Sequence, residues 1–195
     1  MRTLIIFITT FLITVSSVFA LQNDKEQLRQ MLEERDSQIK TLLGPKGSDY
    51  SQEQRDDIKE IINGIIDFRS MAAYALDETY NTISTEEREE FVSLFSTIVR
   101  DQSMNRLDIY RADVEYDEIT IDGNEALVKT IATLDNTRIP VDYTLKNDEG
   151  EWVITDMIID RVSTAESYNR QFQSIIRQRG FDALLQSLRR RAART

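Results

Sequence analysis

The chemistry open to this chain is set first by what it lacks: its 195 residues include no histidine and no cysteine. That removes imidazole bases, thiolate nucleophiles, Ser-His-Asp relays and His or Cys metal sites. It also removes any disulfide framework. The remaining chemical groups are carboxylates, which occur as adjacent pairs: Asp56-Asp57, Glu86-Glu87, Glu89-Glu90 and Asp117-Glu118. Paired acids serve general acid/base catalysis or hold a divalent cation. These pairs, however, fall on charged helix faces or at helix starts, where acids face solvent or complement the dipole. Asp122-Gly123-Asn124 has the start of a calcium loop, but the later ligand spacing is missing, so it is read as a hairpin turn. Asp160, Ser163 and Arg170 invite a catalytic reading, yet turn and capping roles account for Ser163. No phosphate loop and no GxSxG elbow is present. The expectation is a protein that is not an enzyme and that needs no cofactor or metal.

What is abundant instead is apolar surface at regular spacing. Arg2 precedes an apolar run from Leu4 to Val18, and Val18-Phe19-Ala20 fits a processing site. Residues 1–20 are therefore read as a secretory signal peptide cut after Ala20, which places the mature chain in the periplasm. Acidic groups total 34 against 24 basic ones. The imbalance argues against nucleic acid as a partner. The acids lie mainly before Asp160, because Arg161–Thr195 holds eight arginines against Glu166 and Asp182. The basic tail at Arg189-Arg190-Arg191 and Arg194 suits either a helix C-terminus or an anionic surface.

Three helical stretches precede the strands. The first begins at a cap on Asn23 and runs to about Leu43, with Leu28, Leu32, Ile39 and Leu42-Leu43 on one stripe; Gly44-Pro45 ends it. Residues 21–50 are read as this charged helix and a linker, and 51–195 as the main domain. Ser51 with Gln54 forms a capping box for a second run through Ile58, Ile62, Ile66, Met71 and Tyr74, in which Gly64 allows a bend. Ser84 or Thr85 caps a third, with Phe91, Phe95 and Ile98 inward. Four strands follow, near 112–121, 126–134, 138–146 and 152–160, joined by short turns as an antiparallel meander. The third alternates plainly at Ile139, Val141, Tyr143 and Leu145. The fourth is apolar on both faces, with Trp152, Ile154 and Ile158 against Val153, Met157 and Ile159, and must be covered. Ser163 with Glu166 reads as a capping box for 163–179, and Gly180 stops that helix before a last one over 181–194.

Four segments resemble, in order, the motifs of the MlaC family, the periplasmic phospholipid-binding subunits of ABC-type lipid transport systems (the toluene-tolerance auxiliary components). They are Asp67-Phe68-Arg69-Ser70-Met71-Ala72; Glu90-Phe91-Val92-Ser93-Leu94-Phe95; Trp152-Val153-Ile154-Thr155-Asp156-Met157; and Val162-Ser163 followed by Tyr168-Asn169-Arg170-Gln171-Phe172 and Gly180-Phe181-Asp182-Ala183-Leu184. Three departures stand out: Asp77 where the family has Gly, Tyr80 where it has Trp, and Arg161 where it has the Gly of Gly-Val-Ser.

The resemblance implies an α+β domain, a curved antiparallel sheet of four or more strands packed against helices and enclosing an apolar cavity. Phospholipid would be the bound ligand. The pocket candidates are Ile62, Ile66, Met71, Tyr74, Phe91, Phe95, Ile98, Val141, Tyr143, Trp152, Ile154, Met157, Phe172, Ile176 and Leu184. It further implies a monomeric carrier shuttling lipid between an outer-membrane lipoprotein complex and an MCE-type inner-membrane protein of an ABC transporter. Periodicity does not separate a cavity from a filled core. A non-enzymatic α+β interaction module of the cell envelope, with a filled core, is the alternative. A secreted hydrolase would need two acids converging in a cleft.

Overall fold

The computed structural model describes residues 4–47, 49–104 and 107–194, with side chains from residue 23 onward. The expected cleavage after Ala20 lies outside the residues whose side chains are described. Helix α1 spans Leu4–Leu43. It runs straight through Asn23, so the expected N-cap there does not form. Leu28, Leu32, Ile39 and Leu43 are buried along its one apolar stripe. The stripe that the spacing predicts is therefore the face by which α1 joins the domain.

Helix α2 spans Gln52–Asn63 and starts at the expected Ser51–Gln54 capping box. The following residues leave the helix to pair with the sheet. The Ile154 N–H donates to the Ile65 carbonyl (2.7 Å) and the Asp67 N–H to the Ile154 carbonyl (2.9 Å). This parallel bridge breaks the long run at Gly64. The chain resumes as α3, Phe68–Leu76, capped by Asp67 accepting from the Ser70 N–H. A short α4, Glu78–Thr82, and then α5, Thr85–Met104, follow. Ser84 and Glu87 exchange capping hydrogen bonds at the start of α5.

A 3-10 turn, Leu107–Arg111, leads into the sheet. Its strands are β1 Asp113–Asp122, β2 Glu125–Leu134, β3 Thr137–Asp148, β4 Glu151–Ile159 and β5 Val162–Ser163. They pair antiparallel in simple sequence order. The open meander with helices against it is the α+β class expected. Helices α6, Thr164–Arg179, and α7, Phe181–Ala192, close the fold.

Two bulges decide which side chains share a face. One lies at Tyr116/Glu118 in β1 and the other at Thr144/Leu145, where Thr155 of β4 is the extra residue. Each bends its strand and resets the alternation. In β4 the inward set is consequently Trp152, Ile154, Met157 and Ile159. This corrects the sequence-based grouping, which put Trp152 and Ile154 on one face and Met157 and Ile159 on the other. Cross-strand partners share a face. The inner face therefore also holds Tyr116, Ile119 and Ile121 of β1, Ala126, Val128 and Thr130 of β2, and Val141, Tyr143 and Leu145 of β3.

The helical half of the core is an aromatic cluster. Phe91 and Phe95 stack at 5.7 Å, and Phe172 meets each edge-on at 5.7 and 5.8 Å. Tyr168 sits edge-on to Phe95 at 4.9 Å. Its hydroxyl donates to Gln102 Oε1. Such pairs add about 0.5–1.5 kcal/mol each beyond the area they bury. Arg189 makes two hydrogen bonds to Glu90, and Arg69 two to Glu89, so α7 and α3 are each tied to α5 from outside.

Candidate lipid-binding face

Three elements position the inner face. The meander supplies it, α1 and the 3-10 turn lie over it, and the Ile65–Asp67 bridge fixes the helical core at its β4 side. Arg29 of α1 stands over the Tyr116 ring at 5.3 Å. At the other end of α1, Arg111 acts as a clasp. Its guanidinium donates to the carbonyls of Leu43 (3.0 Å), Gly44 (2.5 Å) and Pro45 (3.2 Å), and to the Tyr50 hydroxyl (2.8 Å). The Leu43 carbonyl is one of those a helix C-terminus leaves unpaired, and Gly44 and Pro45 belong to the turn that follows.

Along its length the face changes character. At the end near Val128, Leu145 and Ile154 it is fully buried. At the opposite end the same face reaches solvent: Ile139 is 37% exposed, Ile159 41% and Val162 54%. Val141 pairs with Ile159, and Ile159 with Val162, so these residues form one contiguous apolar edge. An apolar strip running from a dry interior to water is a surface on which a long hydrocarbon chain loses contact with solvent.

The pocket candidates divide into three groups. Val141, Tyr143, Trp152, Ile154 and Met157 all lie on the inner face. Ile62, Ile66, Met71, Phe91, Phe95, Ile98, Phe172 and Leu184 are buried in the helical core, with Ile176 packed at its edge. Tyr74 stands apart, 57% exposed on α3. The sequence reading missed Tyr116, Ile119, Val128 and Thr130, which share the inner face. The bulge at Tyr116/Glu118 hides the alternation of β1 that would have found Tyr116 and Ile119, whereas Val128 and Thr130 were there to be read from the unbroken alternation of β2.

Two hollows border α1. One, of about 650 Å³, is a groove between α1 and α2 lined by Glu34, Ser37, Gln38, Thr41, Leu42, Asp57, Glu60 and Ile61. The other, of about 170 Å³, lies between α1 and β1 and reaches Tyr116 and Ile119. None of the pocket candidates lines either one. The buried residues of α1, Leu28, Leu32, Ile39 and Leu43, belong to one apolar cluster with Val128, Leu145 and Ile154 of the sheet.

The acidic pairs sit at the surface in structural roles. Asp56 accepts from Gln52 and Lys59, Glu89 faces Arg69, Glu90 faces Arg189, and Glu118 faces Lys129. These donors hold Asp56, Glu87, Glu89, Glu90 and Glu118 below the usual carboxylate range; for Glu87 the donor is Ser84. Asp122-Gly123-Asn124 is the β1–β2 hairpin, as expected. Ser163 caps α6, accepting from the Glu166 N–H, and donates to Asp156 Oδ2 (2.5 Å). The second arm of the expected box is replaced, because Glu166 pairs with Arg170 (2.6 Å). Among the described residues no cluster of three or more acids could hold a metal ion.

The family-like motifs take up positions that explain their residue types. Asp67 caps α3, Phe68 carries the Arg100 guanidinium at 5.3 Å, and Met71 and Ala72 are fully buried. Tyr80, in place of Trp, packs on the core beneath Arg88 at 4.8 Å. No curated protein matches the chain. Among solved structures it is similar to the phospholipid-binding protein from Ralstonia solanacearum, determined in complex with a phospholipid. The two share 18% identity with a TM-score of 0.72, covering 87% of this chain and 97% of that one. That likeness establishes the fold. The family model described as MlaC protein matches residues 36–190, which takes in α2 to α7, the whole sheet and the end of α1, and so the chain belongs to the MlaC family.

Proposed function

We propose that this protein is a periplasmic phospholipid carrier that is not an enzyme. It would take lipid between an outer-membrane lipoprotein complex and an MCE-type inner-membrane protein of an ABC system, as a monomer. The observation that carries this reading is the inner face, apolar from its buried end to the exposed edge at Ile139, Ile159 and Val162. Family membership and the phospholipid in the Ralstonia solanacearum protein support it. Each methylene withdrawn from water contributes about 0.8 kcal/mol. Acyl chains thus provide the driving force without any charged site. Acyl chains would enter along the face from its exposed edge, with α1 moving off the sheet to make room. Docking to a partner that favours the open form would release them.

The contiguous buried cluster also suits the second reading, an envelope interaction module with a filled core. Uptake from vesicles separates the two. Delipidated protein incubated with phosphatidylglycerol vesicles and re-isolated should carry lipid in native mass spectrometry. Ile139→Glu/Ile159→Glu should reduce the lipid-bound fraction at least tenfold with the fold intact by circular dichroism. Apo protein alone in the wild-type spectrum would favour the filled-core module.

A further inference from the structure

We propose that the hydroxyls of Tyr116 and Tyr143 form a subsite on the inner face that donates hydrogen bonds to the ester carbonyl oxygens of a bound diacyl lipid. The inference rests on the carrier reading and specifies where along the face the lipid's polar joint would sit.

The placement comes from the strand register. Tyr116 pairs with Thr130, Tyr143 pairs with Val128, and Thr130 pairs with Val141. The two tyrosines therefore flank β2 diagonally on the inner face. Thr130 is no competitor, since its hydroxyl already donates to the Val141 carbonyl. Tyr110, approaching from the 3-10 turn, has Ser103 beside its hydroxyl. Neither Tyr116 nor Tyr143 has a hydrogen-bonded hydroxyl among the described residues. Two hydroxyls without a protein acceptor on a largely apolar face are free to donate to an acceptor that arrives with a ligand.

Their depth along the face matches a diacylglycerol unit. On one side lie the buried apolar positions Leu145 and Ile154; on the other lies the exposed Ile139, with Ile159 level with Tyr116 across the sheet. A lipid laid along this gradient has its tails dry, its headgroup wet and its ester groups between. The hollow of about 170 Å³ between α1 and β1 is lined in part by Tyr116.

Charge then selects the acceptor. Burial, reinforced by the neighbouring Asp36 carboxylate, pushes Tyr143 up to about 12, and burial raises Tyr116 as well, with Asp36 and Glu33 adding to the effect. Both are neutral donors throughout the physiological range. Both carboxylates are ion-paired along α1, Glu33 with Arg29 and Asp36 with Lys40, each at 2.7 Å. With the charges beside the tyrosines already matched, an uncharged carbonyl oxygen is the acceptor that two neutral hydroxyls suit.

The test compares two ligands of equal chain length and headgroup, diester and diether phosphatidylglycerol, in competition for the delipidated protein. Wild type should prefer the diester by about three- to tenfold, the range set by one or two ordinary hydrogen bonds. Tyr116→Phe/Tyr143→Phe should erase that preference. Equal wild-type affinity for the two lipids, or a preference that persists in the double variant, would overturn the subsite. Binding of neither lipid by wild type would overturn the carrier reading, and the subsite with it.

Discussion

Two of the residues that depart from the family pattern share a backbone property. Asp77 has φ 52° with ψ −134°, and Arg161 has φ 65°, next to Asp160 at φ 48°. Positive φ in these ranges is cheap for glycine and costs a residue with a Cβ on the order of 1–2 kcal/mol. The glycines that the resemblance places at these positions would answer that geometry, which this chain holds with Asp77 and Arg161. Asp77→Gly and Arg161→Gly should therefore each raise stability by about 1 kcal/mol, read as a higher urea midpoint at unchanged slope. Unchanged or lower midpoints would show that the side chains contribute more than the strain costs. At this scale the sequence was most legible where the interaction is local. Ser51, Ser84 and Ser163 announced their caps because capping needs only three neighbouring residues. The Glu166 arm failed because Arg170, one turn on, competes for the same carboxylate.

Among the elements, the hairpin turns and alternation made the meander readable, and strand ends fall within two residues of expectation for β1 to β4. The bulges were not readable, because an extra residue leaves no mark in composition; with them went the true inner face of β1 and β4. The break at Gly64 was readable only as a possible bend, since its cause is a long-range bridge to Ile154. The role of α1 was likewise invisible, as it depends on Arg111, far along the chain. Arg111→Ala deletes four donated hydrogen bonds at the end of α1. Losing hydrogen bonds from a charged donor costs about 1.5–3 kcal/mol. Amide exchange over residues 36–50 should accelerate roughly tenfold or more, with β2 and β3 protected as before. Uniform acceleration across the sheet would mean that α1 has no opening of its own.

For the whole molecule, the absence of histidine and cysteine removes every side chain that ordinarily titrates between pH 5 and 8. The lowered carboxylates Glu87, Glu89, Glu90 and Glu118 stabilise the fold above the ordinary glutamate range, and that contribution is lost as pH falls through their folded values. Tyr116 and Tyr143 act in the opposite sense. Their raised values stabilise the fold below the ordinary tyrosine range near 10, and this is lost as pH climbs toward about 12. Thermal midpoints should thus be flat from about pH 5.5 to 9 and fall on both sides; a slope near neutrality would contradict this assignment. The apolar interior was legible as such, but whether it holds lipid or only side chains was not, because both have the same periodicity. The most direct test is organic extraction and mass spectrometry of the protein purified from the cells that make it. The account predicts phospholipid at a substantial fraction of one molecule per chain. Protein that emerges free of lipid, and stays so after exposure to vesicles, would contradict it.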